Sequence, residues 1–182
     1  VGQPNVVYAH TSSTLFTMNV FDYQITQIGA FDLGTVGGQV TDVALDRFGV
    51  LYAVTFNDLF VCDALTAECV HLADLPQFFN GLTMVPPGVI DPGDDTLVGI
   101  ANSGDWYRVD VSNGTATVTQ IGEYGMSYSN AGDVFSIQGV GTYGAVNSTG
   151  GNAIVTCDPA TGAAQNLLGA TDPYNSLWGL AG

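Results

Sequence analysis

An apolar strand pattern recurs four times along the chain and then runs off its end into its own beginning. The copies read Val7-Tyr8-Ala9, Leu51-Tyr52-Ala53-Val54, Leu97-Val98-Gly99-Ile100 and Tyr143-Gly144-Ala145-Val146. Their first residues are 44, 46 and 46 positions apart, and the step from Tyr143 through Gly182 and round to Val7 is again 46. A whole number of repeats fits the 182 residues only when the two ends contribute to one unit. A period of this length marks a stacked or ring-shaped array of small units, because one unit cannot bury its apolar face alone.

Within each repeat the pattern predicts four short strands. The second repeat is the cleanest, with strands at Val43–Asp46, Val50–Phe56, Leu59–Cys62 and Cys69–Ala73. β-Branched and aromatic residues fill the strands, and Gly, Asn and Asp fill the gaps, which is hairpin chemistry. The third strand ends in Asn19, Asp63, Asp110 and Asp158. A short carboxylate or amide there accepts hydrogen bonds from turn amides. The fourth strand carries Thr26-Gln27-Ile28-Gly29 and again Thr119-Gln120-Ile121-Gly122. No stretch shows helical periodicity.

The recurring apolar-Tyr-Ala-Val strand, followed by a turn and aromatic-x-x-Asp-x-x-Thr-Gly, resembles the blades of the β-propeller superfamily of quinoprotein, NHL and kelch type. The resemblance implies an all-β fold of four propeller blades, each of four antiparallel strands, in a single domain over residues 1–182. Blades are expected at 40–76, 80–124 and 132–170, with a split blade made of 1–33 plus 176–182. The WD40 signatures are absent. In the split blade, Leu177, Trp178 and Leu180 from the C-terminus are expected to pair beside Val6, Val7 and Tyr8 from the N-terminus. Such closure can occur within one chain, or between chains as a dimer ring or a head-to-tail polymer.

Charge narrows the partners. Seventeen acidic residues face Arg47 and Arg108 alone, a net charge of −15. Nucleic acid and anionic membrane surfaces need basic side chains that this chain lacks. No apolar run is long enough for a membrane helix, and no signal-peptide pattern opens the sequence, so a secreted form would be the mature one. Cys62 and Cys69 flank a predicted hairpin turn and are expected to form a disulfide, which points to an extracellular or cell-surface location. Cys157 aligns with Cys62 but faces Ala164, and is expected to be buried and inert. Asn113-Gly114-Thr115 and Asn147-Ser148-Thr149 match the glycosylation acceptor pattern.

Candidate chemistry is sparse. The loop from Pro86 to Asp95 is the main insertion, and Asp91, Asp94 and Asp95 could offer oxygen ligands to calcium, although the alternating DxDxDG pattern is missing. No other cofactor is expected. His10 and His71 lie in no metal-ligand motif, and with no lysine and no GxSxG the usual nucleophile-plus-base sets are poorly supplied. A catalytic role is therefore not expected; it would require a cleft with paired carboxylates of perturbed pKa. Tyr124, Tyr128 and Asn130, and likewise Asp172, Tyr174 and Asn175, lie in inter-blade connections where sugar-binding propellers stack saccharides. The expected function is a non-catalytic secreted or surface scaffold, structural or adhesive, that self-assembles through its split blade. The alternative is a ligand-binding propeller, such as a lectin or a calcium-dependent binder.

Overall fold

A computed structural model describes residues 5–174 together with Leu177 and Gly179. The protein is an all-β, four-bladed propeller, with no helix among the described residues and so none that could cross a membrane. Blade 1 holds β1 (Val6–His10), β2 (Thr14–Asn19) and β3 (Ile25–Ala30). Blade 2 holds β4 (Asp42–Leu45), β5 (Leu51–Val54), β6 (Asp58–Cys62) and β7 (Cys69–Asp74). Blade 3 runs β8 (Phe79–Val85), β9 (Thr96–Ala101), β10 (Asp105–Ser112) and β11 (Thr115–Glu123). Blade 4 runs β12 (Ser129–Ile137), β13 (Gly141–Ser148), β14 (Gly151–Cys157) and β15 (Ala164–Ala170). Every sheet is an antiparallel meander in chain order. The strand expected beside β1 runs through Trp178 and Leu180, which lie outside the described residues.

Burial follows position within the blade. β9 is buried along its whole length, because it packs against a neighbouring sheet on each face, whereas β11 alternates between half-buried and exposed. The turns use the chemistry read from the sequence. Asn19, Asp63 and Asp158 each accept backbone N–H groups from the residues that follow them. Asp110 differs: β10 runs on to Ser112, the turn shifts to Asn113-Gly114 with positive φ at both, and the Asp110 carboxylate instead meets Arg108 Nε at 2.7 Å.

The blades are joined by apolar side chains between sheets. Leu15, Leu51 and Phe60 pack between blades 1 and 2, and Val54, Leu59, Leu82 and Leu97 between blades 2 and 3. Between blades 3 and 4, fully buried Trp106 meets Tyr124 edge-on at 5.6 Å. The Trp106 indole also covers Gly162, where φ is +78° and a Cβ would overlap the ring. Each such side chain is worth roughly 1.5–3 kcal/mol of burial. Cys157 is free and buried in the same cluster.

Cys62 and Cys69 are direct partners across β6 and β7 and form a disulfide, with Cα atoms 4.0 Å apart. The segment after β3 is stitched to this hairpin, since Asp32 N–H donates to Ala67 O and Cys69 N–H to Asp32 O. The disulfide fits an oxidising environment.

Candidate functional site at the propeller axis

The first strands of blades 2, 3 and 4 begin with polar residues, and these converge where the blades meet. Asp42 opens β4, Asn80 and Gly81 lie near the start of β8, and Asn130 and Asp133 lie in β12. Bulges between Phe79 and Gly81, and between Asn130 and Val134, break the regular ladder there and re-aim the side chains.

The site is a hydrogen-bonded network that ties blades 2, 3 and 4 together, with His10 of blade 1 beside it. Asp42 accepts the Val43 N–H at 2.8 Å through Oδ1 and the Leu82 N–H of blade 3 at 2.6 Å through Oδ2. Asp133 accepts the Val134 N–H in the same manner as Asp42 accepts that of Val43. Asn130 Nδ2 of blade 4 donates to Asn80 Oδ1 of blade 3 at 2.7 Å, and the Tyr124 hydroxyl donates to Asn130 Oδ1. His10 of blade 1 points its Nε2 at Asp42 Oδ1, 3.8 Å away. Its Nδ1 lies 3.0 Å from the Thr11 carbonyl, which can only accept. In the neutral ring Nδ1 therefore carries the hydrogen, and the Nε2 lone pair faces the carboxylate.

Asp42 and Asp133 are hydrogen-bonded to one another. Two carboxyl groups can share such a bond only when one of them is protonated. Burial pushes the Asp42 carboxyl up to about 7, against the smaller opposing effects of its bonds to Asp133, Leu82 and Val43. Burial likewise lowers the His10 pKa, with the Thr11 carbonyl and the Asp133 charge opposing it. Near neutral pH the axis thus holds a proton-sharing acid pair beside an imidazole.

This network lines a cavity of about 640 Å³, bordered by Tyr8, His10, Asp42, Phe56, Asn80 and Asp133 among others. A second cavity, of about 310 Å³ and bordered by Leu82, Met84, Ser136 and Ile137 among others, shares Tyr8, Val43 and Asp133 with it. The two cavities adjoin at those three residues.

Of the residues singled out from the sequence, Tyr8, Tyr124 and Asn130 belong to the axial site, and the others lie elsewhere. Asp91 Oδ1 accepts N–H groups from Gly93 and Asp94 in the β8–β9 loop. The Gly93 hydrogen bond holds its pKa below the ordinary carboxylate range against desolvation, with lesser help from the Asp94 N–H and the Arg108 charge. Asp94 pairs with Arg47 at 2.9 Å, and Asp95 accepts the Arg47 N–H. Val6 and Val7 lie in β1 with Tyr8; of the C-terminal partners, Leu177 is half-buried, and Trp178 and Leu180 fall outside the described residues. Asn113 sits exposed in its turn, whereas the Asn147 Nδ2 is engaged by Asn130 O and Ser129 Oγ. Tyr124 is core, Tyr128 packs against that core, and Tyr174 is exposed. Asp42, Asn80 and Asp133 escaped the sequence reading. The one available signal was that Asp42 and Asp133 occupy the same place in two repeats, just before Val43 and Val134.

No protein-family model matches the chain, and no curated protein matches it. Among solved structures it is similar to regucalcin, a calcium-binding protein from Agrobacterium tumefaciens, at 12% identity and a TM-score of 0.60 over 91% of this chain and 57% of that one. YCF48 from Cyanidioschyzon merolae aligns at 14% identity and a TM-score of 0.56, over 97% of this chain and 56% of that one. The dihydro-heme d1 dehydrogenase NirN, in complex with DHE, aligns at 13% and 0.51, over 92% and 35%. At most the chain spans a little over half the length of these structures, and at such identities the likeness concerns the fold alone.

The expectation of a non-catalytic protein is corrected here. The same fold carries a dehydrogenase. A cleft holding two neighbouring carboxylates, of which Asp42 has a raised pKa, is present at the axis. Fifteen aspartates supplied the groups; the ring brought two of them together.

Proposed function

We propose that the protein is a binding module whose axial cavity takes a small ligand with the help of a divalent cation of the calcium class. The observation that carries this reading is the hydrogen-bonded Asp42–Asp133 pair inside a cavity of about 640 Å³. Two buried carboxylates that cannot both ionise alone exchange their shared proton for a dication, and hard oxygen donors favour calcium. Calcium takes six to eight oxygens, so positions remain for water and for hydroxyl groups of a ligand. The cavity size suits a small molecule, and Tyr8 and Phe56 offer rings beside the acids. The calcium-binding neighbour of like fold supports this choice of ion. The Asp91–Asp95 loop is a poorer host, because Arg47 already neutralises Asp94 and Asp95.

Calorimetric titration with calcium at pH 8 tests the reading. One ion should bind, Asp133→Asn should abolish it, and Asp94→Asn should leave it unchanged. Absence of binding, or loss of binding in the loop variant alone, would overturn it. A glycan array with and without chelator then addresses the ligand class.

A second reading is a secreted or surface scaffold that self-assembles. β4, β8 and β12 each stand inside their blade's second strand, and the position equivalent to theirs beside β1 is where Leu177–Leu180 of the same or another chain would pair. A monodisperse 18.9 kDa particle at high concentration would sink this reading.

A further inference from the structure

The outer hairpin of blade 2 gathers three metal-ligating side chains that the axial site does not use. Asp58 opens β6, His71 lies within β7, and Asp74 closes it. Asp58 and Asp74 are direct cross-strand partners, and like charges in that relation repel. Both strong cations of the chain are engaged elsewhere, Arg47 with Asp94 and Asp95 and Arg108 with Asp110.

His71 and Asp74 are three residues apart, so in a regular strand they would point to opposite faces. β7 is not regular: Leu59 pairs with Ala73 but Phe60 pairs with His71, which leaves Leu72 as an extra residue. That bulge puts the imidazole on the side of the two acids. Its Nε2 stands 3.0 Å from Asp58 Oδ1 and 3.4 Å from Asp74 Oδ1, and the three ligand atoms all lie within 4.8 Å of one another. A tetrahedral ion with bonds of about 2.0–2.1 Å has ligand atoms about 3.3 Å apart. A single ring N–H has one direction and serves one oxygen well; an ion at the centre serves both. The Phe60 ring meets the imidazole edge-on at 5.4 Å, and Thr55 Oγ1 donates to Asp58 Oδ2, leaving Oδ1 toward His71.

Blade 3 provides an internal contrast. The same bulge occurs between Trp106 and Tyr107, and Asp105 faces Glu123 as Asp58 faces Asp74. There the position of His71 is held by Gln120, whose amide donates to Asp105 Oδ1 at 3.1 Å. The blade thus builds this corner without a histidine, and neither folding nor the bulge explains why blade 2 has one.

We infer that Asp58, His71 and Asp74 form a binding site for a first-row divalent transition-metal ion of the zinc class, open to solvent at its fourth position. One imidazole with two carboxylates selects such ions over calcium, and Asp74, with 92% of its side chain exposed, provides the open side.

The test is a zinc titration of the intact protein followed by the imidazole nitrogen resonances. His71 Nε2 should shift to saturation with one equivalent. His71→Gln, which copies the blade 3 corner and so keeps the fold, should weaken binding by about 100-fold or more. Gln120→His should add a second zinc at blade 3, and Asp42→Asn should leave the His71 response intact. An unshifted His71 Nε2 resonance at saturating zinc in the wild-type chain overturns the proposal, as does unchanged affinity in His71→Gln.

Discussion

At the axis, Asp42 is buried beside Asp133 and keeps its proton up to about pH 7, while in the β8–β9 loop the half-buried Asp91 takes two backbone amides and is held below the usual carboxylate range. The side chains are the same; desolvation decides the first case and backbone hydrogen bonding the second. In an acidic chain the number of aspartates therefore says little about where a cation goes. A charge already compensated by Arg47, or well hydrated, gains little from an ion, whereas a buried pair that must share a proton gains much.

The largest effect should come from removing the axial acid. Asp42→Ala leaves the Val43 and Leu82 N–H groups without an acceptor in the interior, and urea denaturation should show a loss of about 3 kcal/mol. Asp91→Ala should cost far less, because water replaces the carboxylate. Equal losses would erase the contrast.

The second difference lies in the sign of pH dependence. Asp42 is raised from 3.8 to about 7 on folding, so its protonated form stabilises the native state below about pH 4 and that contribution disappears as pH rises to 7. The slope reaches at most about 1.4 kcal/mol per pH unit. Asp91, lowered on folding, acts oppositely: its contribution is present above the unfolded pKa and lost as acid protonates it. Denaturation of wild type and Asp42→Asn at pH 5 and pH 8 should show the axial slope in the first and not in the second.

Calcium should report the same proton. Affinity at the axis should rise by up to about tenfold per pH unit below 7 and level off above it, since each ion displaces one proton. A flat profile between pH 5.5 and 8 would place the ion away from the pair. The smallest change is expected for Arg47→Gln, which frees Asp94 and Asp95 at about 0.5 kcal/mol in stability and leaves the axial profile unaltered.

The strands were legible because hairpins are local: Leu97 to Ala101 alternates with turns that announce themselves, and Cys62 and Cys69 are in register across one such turn. The starts of β8 and β12 were not. Asn80-Gly81 and Asn130-Ala131-Gly132-Asp133 resemble turns by composition, yet they are bulged strand at the axis. Asp42 and Asp133 come from opposite blades and meet only once the ring forms, a long-range event with no local signature. The bulge beside His71 was hidden for the same reason: one extra residue in a strand changes which side chains share a face and leaves no mark on composition.

Cys157 remains the single free thiol among the described residues, sealed in the blade 3–blade 4 core with its pKa pushed up to about 12 by burial. In the closed ring it is a poor nucleophile, because almost none of it is thiolate. Once blade 4 separates from blade 3 it becomes an ordinary exposed cysteine. The chain thus carries its own chemical clock: the rate at which a thiol reagent labels Cys157 counts the openings of that seam, one molecule at a time.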